Sequence, residues 1–158
     1  MTSTEPTRCL LLACGNTLRG DDGVGPWLAE WAEERFAALE GLRVISRHQW
    51  TLELVEEVAR ASSVLFLDCS IEAVPGEVSL TSVAAVPSSQ GLSTHHLGAG
   101  ELLALARDYY GSQPVQALLL TMGAGSTELG ESFSAAVEAA LPEACKVLEQ
   151  TLLRVLQD

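Results

Sequence analysis

The chain has 158 residues, of which 47% are hydrophobic and 5% aromatic, and its formal net charge at pH 7 is −12. This length allows one domain with a core large enough to be stable alone, so we expect a single domain over 1–158 with a flexible tail at 1–7. The excess of acidic residues argues against nucleic acid and anionic membranes as partners, because both are bound through positive charge.

The compartment is inferred from what the sequence lacks. No apolar run approaches the roughly 18 residues of a membrane span, and the polar N-terminus does not have the form of a secretory signal peptide. We therefore expect a cytoplasmic protein. Its four cysteines show no C-x-x-C spacing and are expected to be free thiols. Cys14 and Cys69 each end a predicted strand and could lie near one another.

Apolar runs alternate with segments of helical period along the whole chain. In chain order they predict strand 8–14, helix 24–39, strand 42–47, helix 52–60, strand 63–67, edge strand 77–83, helix 97–110, strand 115–122 and helix 134–156. Pro142 is expected to kink or split the last helix. Strands that alternate with helices predict an α/β fold, a three-layer α/β/α sandwich with a mostly parallel twisted sheet.

The loop after the first strand is the most distinctive stretch, and residues 15–25 read GNTLRGDDGVG. Its glycines allow backbone angles that are closed to other residues. Two adjacent carboxylates, Asp21 and Asp22, precede the first helix, where the helix dipole favours negative charge. Capping of the helix would explain one of these acids, but it explains neither the second acid nor Asn16.

Polar side chains follow three of the predicted strands, and sites in parallel sheets form at that edge. Asp22 lies after the first strand, Asp68 ends the third and a glycine-rich segment at 123–128 follows the last. The loop at 87–94, which precedes a helix, could bring His95 to the same rim. If the three side chains converge, two carboxylates and an imidazole would suit zinc, nickel, iron or manganese. Without a metal, the two carboxylates could act as an acid–base pair.

The string GNTLRGDDGVGP resembles the signature of the hydrogenase maturation endopeptidases, which process the large subunit of nickel–iron hydrogenases. Further segments resemble that family in the same order and extend over nearly the whole chain. They are HQWTLEL at 48–54, LFLDCS at 65–70, STHHLG at 93–98 and GAGSTELGESFS at 123–134. The fold that the resemblance implies is an α/β/α sandwich with a mainly parallel sheet.

The resemblance also implies a metal site formed by Asp22, Asp68 and His95. The first ligand is often Glu in the family, so the shorter Asp22 must hold a metal closer to the loop backbone or through water. His96 competes with His95 for the third position. The metal would be nickel carried by the substrate, although zinc or another divalent ion could occupy the same donors.

The activity implied by the resemblance is cleavage of one peptide bond. It releases the C-terminal extension of a hydrogenase large-subunit precursor after nickel insertion. The candidate catalytic residues are Asp21, Asp22 and Asp68, and the candidate substrate-binding residues are Asn16, His96 and Gly123. We expect a water nucleophile, because neither Cys14 nor Cys69 has an evident His partner. The oligomeric state is open, and a monomer is compatible with so acidic a small domain.

The alternative is an α/β domain without peptidase activity, either receiver-like or binding a divalent metal or nucleotide. A receiver domain should carry a lysine after its last strand, whereas this chain has Gly123 there and its only lysine is Lys146. The glycine loop matches neither G-x-G-x-x-G nor a P-loop. A peptidyl-tRNA hydrolase, which shares a Gly-Asn turn after its first strand, is disfavoured by the negative charge.

Overall fold

The computed structural model describes residues 7–86 and 97–157. Five strands and four α-helices alternate in this part of the chain: β1 (Thr7–Cys14), α1 (Val24–Arg35), β2 (Leu42–Arg47), α2 (Val55–Arg60), β3 (Ala61–Ser70), β4 (Val78–Ser82), α3 (Ala99–Tyr110), β5 (Gln116–Gly123) and α4 (Ala135–Gln157). Short 3₁₀ turns at Gly20–Gly23 and Leu52–Leu54 precede α1 and α2. No helix in these two described stretches is both long and apolar enough to cross a membrane.

The five strands form one sheet in the order β2-β1-β3-β5-β4. Neighbouring strands from β2 to β5 are parallel, and β4 pairs antiparallel with β5 at the edge, which confirms the predicted edge strand. Leu10, Leu11 and Leu12 of β1 have no exposed surface. Their unbroken apolar run follows from the position of β1, because a central parallel strand is covered on both faces.

The helices cover both faces of the sheet. Alternate residues of β1 and β3, such as Leu11 and Leu65, pack with α1 and α4. The intervening residues, such as Leu10 and Phe66, pack with α2 and α3. Because side chains alternate along a strand, each central strand contributes to both cores. The predicted three-layer α/β/α sandwich is confirmed.

Several element boundaries differ from those predicted. The first strand begins at Thr7, and α1 ends at Arg35 instead of residue 39. The third strand continues to Ser70, so Asp68 lies within β3 and not after it. Pairing with β5 explains this extension, because the ladder between them runs as far as Ser70 and Gly123. The loop expected at 87–94 lies outside the described residues.

Pro142 was expected to kink or split the last helix, and the split does not occur, since α4 runs unbroken from Ala135 to Gln157. Proline removes one backbone donor and crowds the preceding turn. Buried residues on both sides of it, including Val137, Ala144 and Leu148, hold the two halves against the same core. Tertiary packing therefore keeps the helix continuous.

Candidate active site

The candidate site lies where the carboxyl ends of β1, β2 and β3 meet. The chain passes from β1 to β2 on one side and later to β3 on the other, and such a reversal leaves a crevice at that edge. Helix α1 starts directly against this edge because residue 25 is glycine. A Cβ there would lie 2.7 Å from the Cys14 carbonyl oxygen and 3.1 Å from that of Leu67.

Asp22 shapes the loop that precedes α1. Its Oδ2 accepts a hydrogen bond of 2.7 Å from the Asn16 N–H. The Asn16 Oδ1 in turn accepts one of 2.9 Å from the Leu18 N–H. No described residue donates a hydrogen bond to Oδ1 of Asp22, and the residue is only partly buried. One carboxylate oxygen of Asp22 is therefore available to a ligand.

Asp68 lies beside the end of β1. The last paired residues of β1 and β3 are Ala13 and Leu67, so Cys14 and Asp68 follow at neighbouring positions. The Asp68 side chain is partly buried, and its Oδ1 accepts a hydrogen bond of 2.8 Å from the Cys69 N–H.

Asp22 and Asp68 both lie near the thiols of Cys14 and Cys69. Burial raises the pKa of Cys14 to about 12, and the nearby charges of Asp68 and Asp22 add to this effect. Burial raises the pKa of Cys69 to about 12 as well, again with contributions from Asp22 and Asp68. Both carboxylates therefore lie close to the same pair of thiols.

Cys14 and Cys69 lie on opposite faces of the sheet. Cys14 belongs to the core under α2 and α3, whereas Cys69 packs against the core under α1 and α4. The Cys14 thiol donates a hydrogen bond of 3.4 Å to the His48 carbonyl oxygen. With pKa values near 12 both groups are neutral thiols at pH 7, and nucleophilic chemistry requires the thiolate.

Asp21 has a different environment from its neighbour, since it is fully buried. Its Oδ1 accepts a hydrogen bond from the Ser134 N–H at 2.7 Å. Its Oδ2 accepts three, from the Gly125 N–H at 2.7 Å, the Ser126 N–H at 3.0 Å and the Ser134 hydroxyl at 2.7 Å. Burial alone would raise the pKa of Asp21, but these hydrogen bonds outweigh it and hold the pKa below its usual value.

Backbone contacts complete the junction between the first loop and the loop after β5. The Gly20 N–H donates to the Gly130 carbonyl at 2.8 Å, and the Gly130 N–H donates to the Leu18 carbonyl at 2.8 Å. Gly20 has a φ of 52°, which favours glycine, and a Cβ there would lie 2.8 Å from the Ser126 carbonyl oxygen. The loop after β5 therefore fixes the position of the loop that carries Asp22.

An open pocket of about 580 Å³ lies beside Asp22. It is lined by Asn16, Arg19, Asp22, Arg47, His48, Gln49 and Thr51. The predicted substrate-binding residue Asn16 thus lies in the same pocket as Asp22. Gly123 does not line it, because Gly123 is buried and its N–H and carbonyl bond to Glu77 and Gly76. A role of Gly123 in substrate binding stays a prediction.

Two arginines of this pocket were not singled out from the sequence. Arg47 is the last residue of β2, and Arg19 lies in the glycine-rich loop. The available signal was their position, because this acidic chain has only nine lysines and arginines, and of these Arg47 ends a predicted strand and Arg19 lies in the loop after another.

The predicted metal ligands are only partly described. Asp22 and Asp68 are oxygen donors at one edge of the sheet, while His95 and His96 lie outside the described residues. Within 7–86 and 97–157, no group of three or more His, Cys, Asp and Glu side chains could hold a metal ion. The described donors therefore provide two of the three expected ligands, and the third stays a prediction.

Known proteins resemble the chain both in sequence and in structure, although no family model matches it. The hydrogenase expression/formation protein HupM of Azotobacter chroococcum mcd 1 is 29% identical over 152 residues, which cover 93% of this chain and 72% of the relative. HoxM of Azotobacter vinelandii, which bears the same description, is 29% identical over 143 residues, covering 87% and 69%.

Two solved structures show the same fold. The hydrogenase maturating endopeptidase HybD from E. coli has a TM-score of 0.75 at 21% identity and covers 93% of each chain. The [NiFe] hydrogenase maturation protease HycI from Thermococcus kodakarensis has a TM-score of 0.67 at 23% identity and covers 98% of this chain and 96% of its own. The resemblance seen in the motifs is thus confirmed: in sequence the chain is similar to hydrogenase expression/formation proteins, and in fold it is similar to hydrogenase maturation peptidases.

Proposed function

We propose that this protein is an endopeptidase that removes the C-terminal extension of a nickel–iron hydrogenase large-subunit precursor after nickel insertion. The observation that carries the proposal is the placement of Asp22 and Asp68 near the carboxyl end of β1, with Asp22 lining an open pocket. The similarity to hydrogenase formation proteins supports the choice of substrate. From the sequence we further expect a protein that acts in the cytoplasm, and a monomer is compatible with its size and charge.

In this proposal Asp22, Asp68 and His95 contact the nickel that the precursor carries. Carboxylate oxygens and an imidazole nitrogen suit nickel or zinc. The Oδ1 atom of Asp22 fits this role, because no described residue donates a hydrogen bond to it. His96 is the competing nitrogen donor. A precursor without nickel would lack the ion that these side chains bind, so the site would distinguish loaded from unloaded substrate.

Hydrolysis adds one water across the peptide bond, and a carboxylate is the natural proton acceptor. Asp22 or Asp68 would take a proton from water as the water oxygen bonds to the carbonyl carbon. The same carboxyl group would return a proton to the leaving amine as the C–N bond breaks. A divalent ion at the same donors would polarise the water or the carbonyl. Asp21 would have to give up its four hydrogen bonds to act as base, so we assign it to positioning Asp22.

Mass spectrometry of a candidate large-subunit precursor tests the proposal. Nickel-loaded and nickel-free precursor are incubated side by side with the protein and with its Asp22→Ala variant. We expect the wild-type protein to remove a C-terminal peptide from the loaded form alone, and the variant to leave it intact. If folded wild-type protein cleaves no precursor in either form, the likeness to the peptidases is one of fold only. Normal processing by Asp22→Ala would contradict the proposed contact of Asp22 with the nickel of the precursor.

A further inference from the structure

The pocket beside Asp22 carries positive charge on a strongly negative protein. The chain has a net charge of −12 and nine basic residues, and two of these, Arg19 and Arg47, line the pocket. Asp22 is the acidic residue of the same lining. His48 and Gln49 add polar side chains that can donate hydrogen bonds. With two arginines and one aspartate, the lining has a formal charge of +1, whereas the whole chain has −12.

Arg19 has a fixed backbone and an unengaged side chain. Its N–H donates to the Asn16 carbonyl and its own carbonyl accepts from the Asp22 N–H, both at 3.1 Å. Its backbone also forms an isolated β-bridge with Gly130 of the loop after β5. Its exposed guanidinium has no hydrogen bond or ion pair with any described residue. The backbone contacts of Arg19 thus fix this residue in the loop beside Asp22, while the N–H donors of its guanidinium stay unengaged.

Arg47 at the end of β2 also lines the pocket, and its side chain makes few contacts. One guanidinium nitrogen donates to the Ser46 carbonyl at 2.9 Å, and its Nε lies 3.7 Å from an oxygen of Glu53. Arg43 on the same strand provides the contrast, because it binds Glu57 with two hydrogen bonds of 2.8 and 2.9 Å. Exposed pairs as long as that of Arg47 contribute little. Most of its five donors remain available.

The chemistry of two guanidinium groups points to an anionic ligand. A guanidinium presents paired N–H donors that match the two oxygens of a carboxylate. A polypeptide substrate supplies such a group either as an Asp or Glu side chain or as its terminal carboxylate. We propose that Arg19 and Arg47, assisted by His48, form a subsite for a carboxylate on the substrate chain near the bond that is cut. This inference rests on the proposed function and adds a specificity determinant to it.

The cleavage experiment compares Arg19→Gln and Arg47→Gln with Arg154→Gln. Arg154 is an exposed residue of α4 outside the pocket, and its substitution changes the net charge by the same amount. We expect each pocket variant to raise KM for nickel-loaded precursor by roughly twofold to fivefold, with kcat retained, because exposed charged contacts contribute modestly to binding. Arg154→Gln should match the wild type. Arg47→Lys should recover part of the loss.

Substrate variants identify the source of the carboxylate. In one precursor the acidic residues near the cut are replaced by their amides, and in another the C-terminus is extended by uncharged residues. The change that removes the carboxylate bound by the subsite should raise KM for the wild-type protein. The same change should not raise KM further for the arginine variants. Wild-type KM values that are unchanged by both alterations would overturn the subsite.

A binding measurement separates this subsite from the peptidase activity. Fluorescein-labelled peptides that run from the precursor's cut site to its C-terminus are titrated with each variant and followed by fluorescence anisotropy. The acidic form has free carboxylates, and in the amide form both the acidic side chains and the C-terminus are amides. We expect weaker binding of the amide form to the wild type, and no such difference for the Arg19→Gln, Arg47→Gln double variant. This result would support the subsite even if no precursor were cleaved. Equal binding of both forms to the wild type would refute it.

Discussion

Ser134 binds Asp21 twice, with its backbone N–H 2.7 Å from Oδ1 and its hydroxyl 2.7 Å from Oδ2. Ser134 also stands at the start of α4, where its carbonyl accepts a hydrogen bond of 2.9 Å from the Glu138 N–H. The pair therefore joins the first loop, the last loop and the last helix. Because Asp22 follows Asp21 directly, this junction sets the position of the candidate catalytic carboxylate.

Replacing Asp21 with asparagine should destabilise the fold by about 2–4 kcal/mol, because a buried network loses its charge and gains a mismatched donor. Both oxygens of Asp21 accept backbone N–H groups, so the amide nitrogen of Asn would face a donor in either orientation. Urea unfolding followed by circular dichroism measures the change. An Asp21→Asn protein as stable as the wild type would show that the network contributes nothing.

Asp22→Asn is the matched control and should separate activity from stability. Its side chain accepts one described hydrogen bond, from Asn16, and an amide oxygen can accept the same bond. We expect a stability change below about 1 kcal/mol. Precursor cleavage should fall by about 100-fold or more if Asp22 is a ligand or a base. A fully active Asp22→Asn enzyme would contradict both roles.

The stability contribution of Asp21 should depend on pH in a defined direction. Its folded pKa lies below its usual value of 3.8, so the contribution is complete above that value. It is lost as the pH falls through the folded pKa, because protonation then favours the unfolded chain. The stability difference between wild type and Asp21→Asn should be constant near neutral pH and shrink in acid. Urea midpoints over a pH series test this, and a difference that grows in acid would have the wrong sign.

Gly25→Ala should destabilise the protein by about 1–3 kcal/mol, since the added methyl group meets backbone that cannot move aside easily. The contacts are the carbonyl oxygens of Cys14 and Leu67. Gly98→Ala is the control, because its Cβ meets only the end of the Glu101 side chain at 3.5 Å. Thermal unfolding of both variants gives the comparison. Equal losses would mean that close approach of α1 to the strand ends is unimportant.

The thiols should resist alkylation in the folded protein. Burial raises the pKa of Cys9, Cys14 and Cys69 to about 12 and also raises that of Cys145. Little thiolate is therefore present at pH 7. Intact mass measurement after brief iodoacetamide treatment should show no adduct on native protein and four after unfolding in urea. Rapid labelling of Cys14 or Cys69 would contradict this prediction and would make that thiol a candidate nucleophile.

Local patterns in the sequence were sufficient for the layers and for placing two candidate site residues at one edge of the sheet. The apolar runs at Leu10–Leu12 and Leu65–Leu67 report strands covered on both faces, and the helical period between such runs places helices on those faces. Asp22 and Asp68 were found because each lies next to a strand end and in a segment that resembles the family. These features depend only on residues close together along the chain.

Only the tertiary structure separated the roles of the adjacent acids Asp21 and Asp22. One is buried under four hydrogen bonds and the other faces the pocket, and the partner that decides this, Ser134, is 113 residues away from Asp21. The meeting of Arg19 with Arg47 likewise depends on how a loop and a neighbouring strand approach each other. Periodicity reports which face of an element is buried, whereas contacts between distant loops are set by packing of the whole chain. Short-range patterns therefore suffice for the layers and for the edge where the candidate site lies, whereas packing of the whole chain sets which side chains meet there.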